Sequence, residues 1–439
     1  MTCPKPGDKI RTEDGSKEFV IDSLIHTGSG QGDIYKVHND KDVYALKLFH
    51  TGDYKKLRRQ IERLQKRGRA SSAFVHPLYV VRTDDRIGYV MEYVAGEHYK
   101  DASILFNGVE TAMADGSVVR LELPFHQKLA ILDSIIRALM IPFGADIVIA
   151  DVKFENIKVN VNDFSVKILD TDTAVGGGKR PMVSGTVGFM EPLVMRGEKI
   201  PDKYSDAYSL AVMIWMTLIS GHPLRGRRYY EPCNQNVDTY TFATNPVYVY
   251  HRKDASNRPS DSDKRVIERM KKYPKYFLDA MHKTFVDGLF EGEKRVEPRE
   301  WLEIIERLYE DHFICKYCGE EHFFCSVERV CHICGTPLEP PIKLVCVGSG
   351  LPGVHLFNGA EVWSTDVMDE QAGYQLFAVV VSDYDKKYGL RCTGSQTVTL
   401  ELKNGIVRDF ERGDVIPIFL DAKMRVGKYI LQYVGGKTK

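Results

Sequence analysis

An apolar, strand-like run, Ile147-Val148-Ile149-Ala150, ends on Asp151, with Lys153 two residues later and Asn156 five later; a second run, Val166–Leu169, ends on Asp170. Those residue types in that order suit phosphoryl transfer. A carboxylate can accept a hydroxyl proton, an ammonium can stabilise charge on a moving phosphoryl group, and an amide oxygen with a second carboxylate can hold a hard cation. Such a set works only on a rigid scaffold, and the chain can build one. Its 439 residues suggest about two to four domains, and 43% hydrophobic against 27% charged residues excludes overall disorder. Lys+Arg and Asp+Glu both total 60, so the chain as a whole has no pull on nucleic acid or acidic membranes.

Four regions emerge: 1–95, 96–310, 311–340 and 341–439. The first alternates strand candidates (Phe19–Leu24, Ile34–Val37, Val43–Phe49, Ile87–Tyr93) with one basic helical stretch, Tyr54–Arg67. Longer helical patterns follow at Phe125–Ile141, Ser205–Ile219 and Pro298–Tyr309, and the polar stretch His251–Lys264 reads as a surface loop. The last region is β-rich, with strands expected at Leu376–Val381, Thr397–Leu402, Val415–Leu420 and Tyr429–Val434.

Thr27-Gly28-Ser29-Gly30-Gln31-Gly32-Asp33-Ile34 lies between two strand candidates. It reads either as a hairpin turn or as a cradle in which backbone N–H groups approach phosphate oxygens without Cβ obstruction. On the next strand, Tyr44-Ala45-Leu46-Lys47 puts a lysine in an apolar setting, where its ammonium needs an anionic partner. Glu62, the only acid of the basic stretch, is expected to be that partner and to orient Lys47 toward phosphates.

In order and spacing these residues resemble the protein kinase fold over roughly residues 18–310. The resemblance implies an α+β, bilobal protein kinase-like fold, with the smaller lobe at 1–95 and the larger at 96–310. Lys47 matches the strand lysine, Glu62 the helix glutamate, Asp151 the catalytic-loop base, and Asn156 and Asp170 the magnesium ligands. Lys153 resembles the serine/threonine class. Thr27, Gly28, Ser29, Gly30, Gly32, Ile34 and Ala45 would line the nucleotide, with Met91 at the back of the adenine pocket and Glu92–Val94 as the hinge. Gly185–Pro192 looks like the end of the activation loop and a platform for peptide acceptors. Glu191 takes the place of its glutamate, Asp206 begins a central helix, and Arg295 pairs with Glu191. ATP and Mg²⁺ (or Mn²⁺) are the implied cofactors.

The departures are as specific. Ile149 and Ala150 stand for the usual histidine and arginine, so activity is not expected to require loop phosphorylation at Ser184 or Thr186. Thr171-Asp172 replaces Phe-Gly, and alignment on Gly32 and Ile34 puts Thr27 and Ser29 at the first two glycine positions. The alternative to an active kinase is a nucleotide-binding pseudokinase scaffold. A small-molecule phosphotransferase is disfavoured by Gly185–Pro192. The run Lys55–Arg69, with eight Lys/Arg and one acid, reads as a solvated helix face rather than a nucleic-acid site.

Five of nine cysteines fall within 315–334. Cys315-x₂-Cys318 and Cys331-x₂-Cys334, each followed by glycine, form two knuckles expected to close a structural Zn²⁺ site, a zinc ribbon at 311–340. His322, Cys325 and His332 are spare. The order kinase, ribbon, small all-β domain resembles bacterial kinases encoded with a metal-dependent protein phosphatase and a von Willebrand A-domain protein of the tellurium-resistance type. Pro246–Tyr250, Ser256–Pro259, Tyr388–Arg391, Val398–Leu402, Asn404-Gly405 and Arg412-Gly413 carry that likeness, which implies those two partners and a stress or defence module. The absence of an export signal and of a long apolar run (the longest is near 210–219) points to the cytoplasm and away from membranes.

Overall fold

The structure, a computed structural model, describes residues 4–434 apart from 30–31, 51–53, 69–70, 84, 97, 113–117, 172–173, 182, 232–235, 261–262, 324–329, 332, 339–341, 352, 358–359, 369–372, 383, 385–386 and 421. Gly30, Asp172, Cys325 and His332 therefore lie outside the described residues. Two compact units divide the chain: Met1–Arg269 with Asp279–Ile305, and Met270–Leu278 with Glu306–Lys439.

The first unit opens with an antiparallel sheet of β1 (Lys9–Arg11), β2 (Glu18–Ser29), β3 (Gly32–His38), β4 (Val43–Phe49), β5 (Pro77–Arg82) and β6 (Ile87–Glu92), in the order β1-β2-β3-β4-β6-β5. One helix, α1 (Tyr54–Gly68), is inserted between β4 and β5. Side chains alternate across a strand, so β4 and β6 each feed two cores. Phe19, Tyr35, Val37, Leu46, Leu48 and Val90 close one face. On the other, Phe49, Ile87 and Tyr89 pack with Leu57 and Ile61 of α1, whose spacing of four puts both on one stripe. The strand expectations hold here; β2 runs on to Ser29, into the segment read as a hairpin turn or a phosphate cradle.

In the rest of this unit, helix Lys203–Leu218 is buried along almost its whole length, including Met213, Ile214 and Trp215. It starts two residues before the expected Ser205 because Asp202 caps it. The Asp202 carboxylate accepts from Ser205 N (2.9 Å), and Ser205 Oγ accepts from Asp202 N (3.0 Å). Strands Ile157–Asn160 and Val166–Ile168 pair antiparallel with Ile157 opposite Ile168. That register brings Leu169 N within 2.7 Å of Asn156 O, so the two expected cation ligands leave one hairpin side by side. Among the described residues no helix is long and apolar enough to cross a membrane.

In the second unit, residues 342–434 form a six-stranded and a four-stranded antiparallel sheet. Leu344, Leu356, Val398 and Leu431 of one share a core with Val362, Phe377, Leu390 and Ile416 of the other. All four strand expectations fall on strands, and one turn of helix, Ser364–Val367, interrupts an otherwise β segment.

Candidate active site

The loop 149–156 is built on a buried acid. Asp206, at the start of helix Lys203–Leu218, accepts from Ile149 N (2.7 Å) and Ala150 N (2.9 Å). Ala150 sits at φ +70°, a conformation costly for a side chain with a Cβ, and the two bonds to Asp206 hold it there. Burial pushes the Asp206 carboxyl up to about 7 against the pull of those two N–H donors. The loop is thus turned so that Asp151 and Lys153 converge: Lys153 Nζ lies 2.9 Å from Asp151 Oδ2. Thr186 Oγ1 donates to Asp151 Oδ1 (2.6 Å) and accepts from Lys153 Nζ (2.8 Å). Asn156 Nδ2 donates to Asp151 O (2.9 Å) and Oδ2 (3.1 Å), which leaves the amide oxygen for another partner.

Lys47 comes to this cluster from the sheet. Cross-strand partners share a face, so the register Ile34↔Lys47 and Ala45↔Met91 puts Ile34, Ala45, Lys47 and Met91 on one surface. Lys47 is 3% exposed and its Nζ lies 2.8 Å from Asp170 Oδ1. Here the structure corrects an expectation. Asp170, not Glu62, is the described partner of Lys47, and the Glu62 carboxylate is taken by Arg58 one turn earlier on α1. Arg58 is itself held by Glu13 (2.8 Å), which also accepts from Tyr54 Oη. The N-terminal hairpin thereby fixes how α1 is turned. Val94 is buried, while Glu92 is exposed and pairs with Lys167 Nζ at 2.8 Å.

Of the glycine-rich segment, Thr27 and the backbone of Gly28 and Ser29 end β2, and Gly32 opens β3. A Cβ on Gly32 would stand 2.4 Å from Leu48 O, so the strands' close approach requires glycine there. Sequence reasoning missed what anchors this end of the sheet. Asp33 Oδ1 meets His50 Nε2 at 2.7 Å and Oδ2 meets the buried Arg86 at 2.8 Å. Burial disfavours the charged Asp33, and the bonds from His50 and Arg86 outweigh it, so its carboxyl stays below the usual range. Arg86 also donates to Leu48 O and Phe49 O. An acid directly after the last glycine was the only available signal.

The departures have structural counterparts. Thr171 Oγ1 donates to Val75 O (3.1 Å), a polar tie where an aromatic ring was absent. Glu191 and Arg295, both 0% exposed at the side chain, form the expected pair. Burial raises the Glu191 carboxyl, but Arg295 and Lys199 overcome that and hold it below its ordinary value. The segment Gly185–Pro192 is held at Gly188 by His222, also missed in sequence. Its Nε2 donates to Gly188 O (2.7 Å) and its Nδ1 accepts from Leu224 N (3.1 Å). Burial drives the His222 pKa down to about 3.

The family model for the protein kinase domain matches residues 21–290. The chain belongs to the protein kinase family. Among solved structures, the autoinhibited serine kinase domain of the giant muscle protein titin is similar at 16% identity and a TM-score of 0.47, covering 66% of this chain and 81% of that one. None of the curated proteins matches. The kinase's Lys47, Asp151, Lys153, Asn156 and Asp170 all lie within the matched residues.

In the second unit, the sulfurs of Cys315, Cys318, Cys331 and Cys334 lie within 4.8 Å of one another. The knuckles repeat one design. Gly319 N donates to Cys315 O and Gly335 N to Cys331 O, with both glycines at positive φ. Four sulfurs around one zinc at about 2.3 Å must stand roughly 3.8 Å apart. Cys318–Cys331 (3.5 Å) and Cys315–Cys334 (3.7 Å) meet that geometry, and an all-thiolate donor set suits a closed tetrahedral shell.

Proposed function

We propose that this kinase is a serine/threonine protein kinase that transfers the γ-phosphoryl group of Mg-ATP to protein hydroxyls. The observation that carries the reading is the interlocked set Asp151–Lys153–Thr186–Asn156. In the step, the acceptor oxygen bonds to the γ-phosphorus as the bond to the β-bridging oxygen breaks. The hydroxyl proton passes to Asp151, and ADP leaves. Asp151 orients the acceptor, Lys153 and Lys47 neutralise phosphate oxygens, and the ring of hydrogen bonds through Thr186 keeps Asp151 in place. Asn156 Oδ1 and Asp170 would hold Mg²⁺, which when bound neutralises charge on the phosphates. Lys47 already sits beside Asp170, so phosphate and metal contacts would be made by neighbours.

Cys315, Cys318, Cys331 and Cys334 would hold one structural zinc that ties the two knuckles together. The narrower likeness supports the reading that the kinase would act in a bacterial stress or defence module, with a metal-dependent phosphatase and a von Willebrand A-domain protein as partners. The second reading, a nucleotide-binding scaffold, is favoured by one observation: Glu62 is engaged by Arg58 rather than by Lys47.

Labelled-ATP transfer with Mg²⁺ or Mn²⁺ tests this. Label on serine or threonine in wild type, absent in Asp170→Ala, is expected. Nucleotide binding with no transfer, even after the two partners are added, would establish the scaffold instead. For the ribbon, metal analysis of the reduced protein should return one zinc per chain; metal-free folded protein would remove it from the account.

A further inference from the structure

The structure carries a second built feature beside the acceptor platform. His222, whose ring holds Gly188 O, is followed by Arg225, Arg227 and Arg228, and Arg225 N donates back to His222 O (3.0 Å). The turn is fixed from below by Asn257, 3% exposed, which donates to Leu224 O (2.9 Å) and Val247 O (2.6 Å). A Cβ on Gly226 would fall 2.0 Å from Asn257 O, so the segment can lie this close only with glycine. Arg227 N reaches Arg258 O (2.9 Å), and Arg228 N reaches Asn257 Oδ1 (3.3 Å).

Aromatic rings prop up two of the three guanidinium groups. Arg225 lies 4.0 Å over the Tyr229 ring and donates to its hydroxyl (3.0 Å), and Arg228 lies 5.2 Å over Tyr240. Stacking uses the flat faces, one N–H of each goes to the tyrosine hydroxyl, and the other N–H groups remain for carboxylates. Acids stand close to two of the three: Asp238 lies 3.8 Å from Arg225, and Asp254 feels Arg228, while exposed Glu231 follows three residues on. Arg227 is exposed, and among the described residues no carboxylate pairs with it. Positive charge is thus left over, on a braced turn, one hydrogen bond from the platform.

We infer that Arg225, Arg227 and Arg228 form a subsite that selects acidic peptide segments, placing glutamate or aspartate side chains of the substrate next to the acceptor hydroxyl. This rests on the reading of Gly185–Pro192 as the acceptor platform. An acidic segment would answer the leftover charge. Val187, exposed on the platform itself, would contact the apolar parts of the same peptide.

The test measures binding by the full-length kinase of a fluorescein-labelled peptide with serine flanked by glutamates, against the same peptide with glutamines. Binding about tenfold tighter for the glutamate peptide is expected, from contacts worth about 1.4 kcal/mol together, and the preference should shrink with salt. It should vanish in Arg227→Glu/Arg228→Glu, weaken in the milder Arg227→Ala, and survive in Arg299→Glu, a charge reversal elsewhere on the surface. Equal binding of the two peptides, binding of neither, or a preference that survives Arg227→Ala and the double reversal overturns the subsite. So does a preference lost equally in Arg299→Glu. Transfer to the same peptides is read separately: glutamate-selective binding without transfer would leave the subsite standing and sink the phosphotransfer reading.

Discussion

Across residues 147–170 the polar side chains close on one another: Asp151 with Lys153 and Asn156, and the loop backbone on Asp206. The side formed by α1 is different. Its one acid, Glu62, faces Arg58, and Glu13 of the N-terminal hairpin holds Arg58 in turn. The first arrangement depends on spacing along a few residues of a tight loop. The second depends on how a whole helix is rotated against the sheet, and a rotation of that kind changes partners without changing the fold.

The strongest way to separate the two sides is Asp151→Ala. Phosphoryl transfer should fall by about 10²–10⁴-fold with nucleotide binding and melting temperature little changed; surviving activity would mean that another group takes the proton. Next comes the buried pair Glu191–Arg295. Arg295→Met leaves Glu191 buried with Lys199 and the Ser205 hydroxyl as its remaining partners, and breaking such a pair costs about 3–5 kcal/mol. Denaturant unfolding should show a loss near the lower end of that range. A neutral result would show Lys199 and Ser205 to be sufficient.

His222 makes the same side pH-dependent. The unfolded chain binds a proton at its ordinary value of about 6.5, while the native state refuses it until about 3. The unfolded state therefore holds more protons between those values. Stability is fully present above about 6.5 and declines on acidification by up to about 1.4 kcal/mol per pH unit. His222→Gln should flatten that part of the stability–pH curve. The smallest effect belongs to α1. Arg58→Ala frees Glu62, and a rise of about two- to fivefold in transfer is expected, in line with an exposed ion pair worth about 0.2–1 kcal/mol. Unchanged activity would show that the Arg58 contact does not restrain Glu62.

Legibility in the sequence follows the same division. Asp151, Lys153, Asn156 and Asp170 could be read because a tight loop and a short hairpin leave little freedom over so few residues. The pairing of Glu191 with Arg295 could be read only through family likeness, since 104 positions separate the two. Asp33, Arg86 and His222 were not read at all. Each is an ordinary polar residue in sequence, and its partners lie on other strands or loops.

By itself the sequence determined the elements, the close spacing of Asp151, Lys153 and Asn156 on one loop and the cysteine knuckles, because strand period, loop spacing and CxxC turns are local constraints. Tertiary structure alone decided that Lys47 meets Asp170, that Glu62 is held by Arg58, itself tied to Glu13, and that the turn carrying three arginines adjoins Gly188 through His222. Those are long-range electrostatic choices. Several partners of suitable charge exist for each group, and only the packing of helix on sheet and loop on loop selects among them.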